Sequence, residues 1–89
     1  MVSDELTVEN RAGIHTRPAG QIVKTAARFS SDIFFIKDDM RVNGKSIMGI
    51  ITLGATFRTK LKCECTGDDE QALLDAMKEL FRNRFEAST

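Results

Sequence analysis

The sequence predicts an α+β fold of two layers, in which an antiparallel β-sheet is covered by helices on one face. Polar and apolar residues alternate in the first and last strand-like stretches, which is typical of strands with one face toward solvent. Two other stretches carry apolar residues at spacings of three and four, which predicts amphipathic helices. The element order β-α-β-β-α-β-α favours this architecture, and 89 residues predict a single domain over residues 1–89.

The strands are predicted from residues that alternate between the core and solvent. Leu6 and Val8 alternate with polar neighbours, as do Leu61, Cys63 and Cys65. The predicted elements are a strand over residues 3–10, a helix over 16–28, strands over 33–36 and 40–42, a short helix over 45–53, a strand over 59–66 and a last helix ending near residue 84.

The last helix is predicted to begin with a capping box, because Asp68 is followed three residues later by Gln71. We expect Cys63 and Cys65 to be buried thiols, since neighbours on one strand rarely have disulfide geometry. These two cysteines and a distant histidine are too few for a structural zinc site. The buried side of the last helix is predicted to carry Leu73, Leu74, Met77, Leu80, Phe81 and Phe85.

Composition restricts the function classes. Thirteen basic residues balance thirteen acidic ones, which disfavours a nucleic-acid-binding protein with a basic face. No apolar run approaches the roughly 18 residues of a membrane helix, so no membrane insertion is expected. The first residues lack the basic and apolar regions of a secretory signal. We therefore expect a cytoplasmic protein.

The stretch over residues 13–19 has the strongest chemical signal and holds the chain's one histidine and one proline, His15 and Pro18. Proline is accommodated in a first helical turn, so a helix is predicted to begin beside His15. Unpaired N–H groups at such an end bind anions, phosphate included. Arg17 adds a planar fork of donors suited to phosphate oxygens.

Two interpretations of His15 follow from these residues. The positive helix end disfavours an imidazolium, so a ring nitrogen would keep its lone pair and act as a nucleophile toward phosphorus. Alternatively, a single histidine in a short chain is an ordinary surface or capping residue. The local pattern alone leaves both open.

Two motifs resemble those of the HPr family, the histidine-containing phosphocarrier proteins of the bacterial phosphoenolpyruvate:sugar phosphotransferase system. Gly-Ile-His-Thr-Arg-Pro-Ala at residues 13–19 is similar to the family's phosphorylation site, and Asn-Gly-Lys-Ser-Ile-Met-Gly-Ile at residues 43–50 to its regulatory serine segment. The resemblance extends from about residue 3 to about residue 84. It implies an open-faced sandwich with strand order 1-4-2-3.

For function, the resemblance implies a phosphoryl carrier rather than an enzyme. Nδ1 of His15 would accept a phosphoryl group from enzyme I, itself charged by phosphoenolpyruvate, and pass it to the A-type domains of sugar permeases. Arg17 would neutralise and orient the phosphate, and Thr16 and Arg17 would supply backbone N–H groups. The carrier would need neither a metal nor another cofactor, since phosphoryl transfer depends mainly on positioning and charge stabilisation.

Ser46 is the second candidate site. From the residues alone it is an N-cap of the short helix. The resemblance implies regulatory phosphorylation by an ATP-dependent HPr kinase/phosphorylase. The added charge would hinder enzyme I and favour a basic partner such as a transcriptional regulator, which would connect the protein to catabolite regulation.

A partner-docking surface is predicted beside these sites. The short helix is only two turns long, so its apolar residues cannot all face the core, and those left exposed form a recognition surface. The core alternative is stronger for Ile50 and Leu53. We expect a monomer. The predicted docking residues are Ile47, Met48 and Ile51, with Thr16, Arg17, Gly20, Lys24 and Lys45 at the rim.

Two other functions stay open. One is a mainly regulatory HPr paralogue that acts on transcription through Ser46. The other is a ferredoxin-like ligand-binding module, although it would not explain His15, Arg17 and Pro18 together. The loop over residues 55–58 departs from the family pattern, with Phe57 and Arg58 in place of small or polar residues.

Overall fold

The computed structural model of the chain describes residues 1–85. Its seven elements follow the predicted order and form one four-stranded antiparallel sheet in the order β1-β4-β2-β3, which confirms the predicted fold. The elements are β1 (Val2–Thr7), α1 (Thr16–Ala26), β2 (Asp32–Lys37), β3 (Met40–Asn43), α2 (Ile47–Thr52), β4 (Lys60–Thr66) and α3 (Glu70–Arg82).

The core lies between the sheet and the helices, and the register explains how it is filled. Leu6 in β1 pairs with Leu61 in β4, and Phe35 in β2 pairs with Cys63 in β4. All four side chains are buried. Because side chains alternate along a strand, the neighbouring Phe34 points to the other face, where the Arg41 guanidinium lies 3.8 Å from its ring centroid. A sheet that binds RNA stacks bases on several aromatic rings of its solvent-facing side. Phe34 and Phe35 lie on opposite faces, so they cannot form such a surface together.

Both cysteines are buried, as the alternation in β4 predicts, and no disulfide joins them. Their Sγ atoms lie 4.0 Å apart. The contact with Cys65 and burial among apolar side chains both raise the pKa of the Cys63 thiol above its ordinary value. Cys63 is therefore a packing residue of the core, as expected.

The start of α3 differs from the predicted capping box. The N-cap residue is Asp69, and its carboxylate makes no bond to its own helix. It accepts hydrogen bonds from the N–H groups of Ser30 and Ser31 at 3.0 and 2.9 Å and from the Ser31 hydroxyl. Asp68 is exposed, and the acceptor for the Gly67 N–H is Oε1 of Glu70 at 3.1 Å. The prediction that Asp68 and Gln71 form a capping box is therefore wrong. The N-cap is Asp69, and its carboxylate binds Ser31, 38 residues away, instead of the first N–H groups of α3.

Replacing Asp69 with Asn should make the fold less sensitive to acid. The Ser31 hydroxyl, followed by the Ser30 N–H, lowers the pKa of Asp69 from 3.8 to about 2. A carboxyl whose folded pKa is lowered stabilises the fold above its unfolded pKa, and that stability is lost as pH falls through the folded value. In thermal melts at neutral pH, wild type should have a higher melting temperature than Asp69→Asn. This difference in melting temperature should shrink as the pH falls from 3.8 to about 2. A constant difference across this range would contradict the assignment.

Candidate functional site

His15 occupies the N-cap position of α1, as the sequence predicts. Its backbone is extended, with φ −101° and ψ −163°, and its carbonyl oxygen accepts the first helical hydrogen bond, from the Ala19 N–H at 3.0 Å. The side chain is exposed and makes no capping hydrogen bond. An N-cap side chain that does not cap its own helix leaves the terminal N–H groups to other acceptors.

The loop before His15 is fixed by backbone contacts. Gly13 has φ +75°, a left-handed value that favours glycine, and a Cβ there would lie 2.7 Å from the carbonyl oxygen of Ala55. That oxygen accepts the Ile14 N–H at 2.9 Å. Asn10 donates its side-chain amide to the Gly13 carbonyl at 2.7 Å, and Ile14 is buried. The exposed His15 is thus attached to a rigid, buried residue.

The first turn of α1 presents donors without partners. In the described part of the chain, neither the Thr16 nor the Arg17 N–H makes a hydrogen bond, and Pro18, the third helical residue, has no N–H to leave unpaired. The first turn contains no acidic residue. The positive end of the helix dipole therefore faces solvent beside His15 without a carboxylate of α1 to neutralise it.

His15 and Arg17 line one shallow pocket of about 210 Å³, which we call the histidine pocket. The structure thus brings together the two residues that the sequence places in the phosphate site. Two oxygen atoms in residues lining this pocket, Oδ1 of Asn10 and Oε1 of Gln21, are buried without a hydrogen-bond partner in the described structure. The pocket is completed by Pro18, Arg84 and Phe85.

Ser46 occupies the N-cap of α2, as predicted. Its Oγ accepts the Gly49 N–H at 3.0 Å and its carbonyl accepts the Ile50 N–H at 3.0 Å. The residue is partly exposed. Nearby in sequence, Lys45 donates its ammonium to the Phe29 carbonyl at 2.9 Å, so this predicted rim residue ties α2 to the segment after α1.

Of the three short-helix residues predicted for the docking surface, Ile47 and Met48 are exposed and Ile51 is not. Met48 is 72% exposed and Ile47 41%, whereas Ile50 is buried. Ile51 is half-buried and packs against the core. Along α1, which lies beside α2, Thr16 and Lys24 are exposed and Gly20 is half-buried. An added Cβ at Gly20 would meet nothing within 4 Å, so the backbone itself forms part of this surface.

The comparisons with known proteins agree with this geometry. The family described as PTS HPr component phosphorylation site matches residues 2–83. The chain belongs to this HPr family. It is 46% identical to the phosphocarrier protein HPr of Treponema pallidum, over 97% of this chain and 98% of that protein. The crystal structure of HPr-C-His from Thermoanaerobacter tengcongensis superposes with a TM-score of 0.92 at 40% identity, covering 96% of each chain.

A second kind of HPr relative is also similar. The HPr-like protein Crh of Bacillus subtilis is 39% identical over 86% of this chain and 91% of that protein. Members of the HPr family are phosphocarrier proteins rather than enzymes, and so is this chain. Within the described residues no helix is long and apolar enough to span a bilayer.

Four lining residues of the histidine pocket in this HPr chain were not predicted from its sequence: Asn10, Gln21, Arg84 and Phe85. Gln21 could have been found, because it lies one helical turn after Arg17 and therefore on the same face of α1. Arg84 and Phe85 follow α3 with positive φ values of 55° and 62°. No local pattern indicates that the chain turns there toward the start of α1.

Proposed function

We propose that His15 accepts a phosphoryl group from enzyme I, charged by phosphoenolpyruvate, and passes it to the A-type domains of sugar permeases. The supporting observation is the exposed imidazole at the start of α1, next to unpartnered N–H groups and Arg17. In the first transfer, a lone pair on Nδ1 of His15 forms a phosphorus–nitrogen bond while the bond between phosphorus and enzyme I breaks. In the second, a histidine of the permease domain attacks phosphorus, the phosphorus–nitrogen bond to His15 breaks, and its electron pair returns to Nδ1. The proton on Nε2 stays in place.

The surroundings of His15 suit this transfer. A phosphoryl group on the ring adds negative charge at the positive end of α1. The Thr16 and Arg17 N–H groups can donate to its oxygens, and the Arg17 guanidinium can bind two of them at once. The two backbone N–H groups are fixed by the helix before phosphorus arrives, so they need little reorganisation. The proposal requires no metal and no cofactor in the carrier.

The partners would dock on the exposed surface that α1 and α2 share. Ile47, Met48 and Ile51 supply its apolar part, and exposed apolar groups beside charged ones are typical of recognition surfaces. We propose that the protein acts as a cytoplasmic monomer and binds no nucleic acid. The rim of this docking surface consists of Thr16, Arg17, Gly20, Lys24 and Lys45.

The direct test is incubation with phosphoenolpyruvate and enzyme I, followed by intact-mass measurement before and after mild acid. One added phosphate that acid removes is the expected result, because a phosphorus–nitrogen bond is acid-labile. A chain that stays unmodified, or whose phosphate survives acid, would contradict the proposal.

We further propose that Ser46 is phosphorylated by an HPr kinase/phosphorylase and that the phosphate regulates partner binding. The modification adds nearly two negative charges at the start of α2, where the dipole tolerates them. It would repel an acidic partner and attract a basic one such as a transcriptional regulator. The similarity to Crh favours a mainly regulatory paralogue as the second candidate function. The family match excludes the ferredoxin-like ligand-binding module.

Substitutions at Ser46 separate its capping role from its regulatory role. With ATP and the kinase, wild type and Ser3→Ala should gain one acid-stable phosphate and Ser46→Ala none. Ser46→Ala should also lose about 1 kcal/mol of unfolding free energy, because the Gly49 N–H loses its acceptor. Ser46→Asp keeps an N-cap acceptor, so it should fold like wild type yet accept phosphate from enzyme I more slowly. Acid-stable phosphate on Ser46→Ala would remove Ser46 as the site.

A further inference from the structure

A second pocket, with a volume of about 830 Å³, lies outside the docking surface of α1 and α2. Its walls are the end of β1 with the following loop, the loop before β4, the start of β4 and the residue Arg84 after α3. This volume lies within the usual range of small-molecule sites. We call it the basic pocket.

The charge of the basic pocket is strongly positive. Four cations line it, Arg11, Arg58, Lys60 and Arg84, against the single carboxylate of Glu9. The ion pairs found within residues 1–85 lie elsewhere and involve none of these four cations. The whole chain is neutral, so this concentration of positive charge is local. It suits an anion with several negative charges.

An aromatic ring stands within this positive charge. Phe57 is 38% exposed, one of few large apolar side chains outside the core. The guanidinium carbons of Arg58 and Arg11 lie 5.0 and 5.9 Å from its ring centroid. Both guanidinium groups are close enough to the ring for cation–π attraction. A planar group of a ligand could stack against Phe57 while its anionic part meets the two guanidinium groups.

The backbone holds Arg58 in a conformation that is unfavourable for a side-chain-bearing residue. Its φ is +72°, a region that glycine adopts much more readily. The Arg58 N–H donates to the Val8 carbonyl at 2.7 Å and the Val8 N–H donates to Thr59 at 2.9 Å, which fix the turn. An arginine kept at a glycine-like position supports a role for its side chain, and that side chain lines the pocket.

One further group in this region lacks a partner. The Asn10 amide nitrogen donates to the Gly13 carbonyl, which sets the orientation of the amide and leaves Oδ1 buried without a donor. Asn10 lines the basic pocket. An oxygen acceptor favours a ligand that carries hydroxyl or amino donors as well as negative charge.

We propose that the basic pocket binds a nucleoside polyphosphate. Its base stacks on Phe57, its phosphates lie among Arg11, Arg58 and Arg84, and a ribose hydroxyl or base amino group donates toward Asn10. An acidic segment of a partner protein would match the charge of the pocket but not its shape, because a concave pocket with one aromatic ring fits a compact planar ligand. The assignment requires no phosphoryl transfer at His15, although Asn10 and Arg84 line both this pocket and the histidine pocket.

The test is titration of the full chain with ATP, tripolyphosphate, adenosine and a Glu-rich peptide, followed by amide chemical shifts and calorimetry. ATP should saturate at millimolar concentration and shift the amides of residues 7–11 and 57–60. Tripolyphosphate should bind more weakly, and adenosine should not saturate. No saturation by ATP, equal affinity for tripolyphosphate, tighter binding of the peptide, or shifts confined to other regions would each overturn the proposal.

Variants separate the two parts of the site. Arg11→Gln should raise the Kd for ATP and for tripolyphosphate about tenfold, because each loses a charged donor. Phe57→Ala should weaken ATP binding and leave tripolyphosphate unchanged. Arg28→Gln is the matched control, since Arg28 lies 5.9 Å from the Phe29 ring outside the pocket. An equal loss of ATP affinity in Arg28→Gln would show that the net charge of the protein, rather than this pocket, determines binding, and it would overturn the assignment.

Arg58→Gly separates a loss of ATP binding from a loss of folding. Glycine relieves the positive φ, so this variant should melt at a higher temperature than wild type while it loses ATP affinity about tenfold. Unchanged affinity in Arg58→Gly would exclude Arg58 from the site.

Discussion

His15→Ala should abolish acid-labile phosphorylation by phosphoenolpyruvate and enzyme I while it leaves the fold intact. The imidazole is exposed and makes no capping hydrogen bond, so its removal should change the free energy of unfolding by no more than about 0.5 kcal/mol. The transfer itself has no other acceptor, since the chain contains no second histidine. Thermal melts and intact-mass time courses on the same samples check both halves of this expectation.

Arg17→Ala should accept the phosphoryl group slowly rather than not at all. Loss of one preorganised donor to a developing anion slows a reaction by roughly 10²-fold. Arg17→Lys keeps the charge but not the fork, so an intermediate rate would show that geometry matters. Arg41→Ala is the control, because Arg41 stacks on Phe34 on the outer sheet face. Equal rates in Arg17→Ala and Arg41→Ala would contradict the role of Arg17.

Thr16→Pro tests the backbone donors separately. Thr16 is the first residue of α1, where proline is favoured, and His15 has the extended backbone that a residue before proline prefers. The substitution therefore removes one N–H beside the imidazole without breaking the helix. Thr16→Ala keeps that N–H and serves as the control. We expect slower phosphorylation in Thr16→Pro than in Thr16→Ala, and equal rates would exclude the Thr16 N–H from the transfer.

The features predicted from the sequence are those set by short-range periodicity. Alternation around Cys63 determines the faces of β4, and the position of Pro18 determines where α1 begins, because both effects act within a few residues. The strand order is implied only by the resemblance to the HPr family. No periodic pattern says that β4 lies between β1 and β2.

The features that sequence analysis missed depend on contacts between distant segments. Asp69 binds the backbone of Ser30 and Ser31 instead of capping α3, and an N-cap pattern cannot show that competition. Arg84 joins the histidine pocket because the chain turns through positive φ after α3. The polar partners of a site are therefore harder to predict from sequence than its first reactive residue.

Gly13→Ala should have the largest effect on stability among the glycine substitutions near the site. Two costs combine there: a side-chain-bearing residue at φ +75°, and a Cβ 2.7 Å from the Ala55 carbonyl oxygen and 3.1 Å from the Thr56 Cα. The strained backbone alone costs about 1–3 kcal/mol. Both clashing atoms belong to the backbone, so relief requires the loop before His15 to move. We expect a loss of about 3 kcal/mol or more in chemical denaturation.

Two other glycines separate these costs. Gly54 has φ +61° with nothing within 4 Å of an added Cβ, so Gly54→Ala carries the backbone strain without the clash. Gly20 has neither problem, and Gly20→Ala should stabilise α1 by about 0.5–1 kcal/mol. The expected order of stability is Gly20→Ala, wild type, Gly54→Ala, Gly13→Ala. If Gly13→Ala and Gly54→Ala lost the same free energy of unfolding, the contact with Ala55 would not fix the loop.

Since that contact positions His15, Gly13→Ala should also slow phosphorylation under conditions where it is fully folded, whereas Gly54→Ala should not.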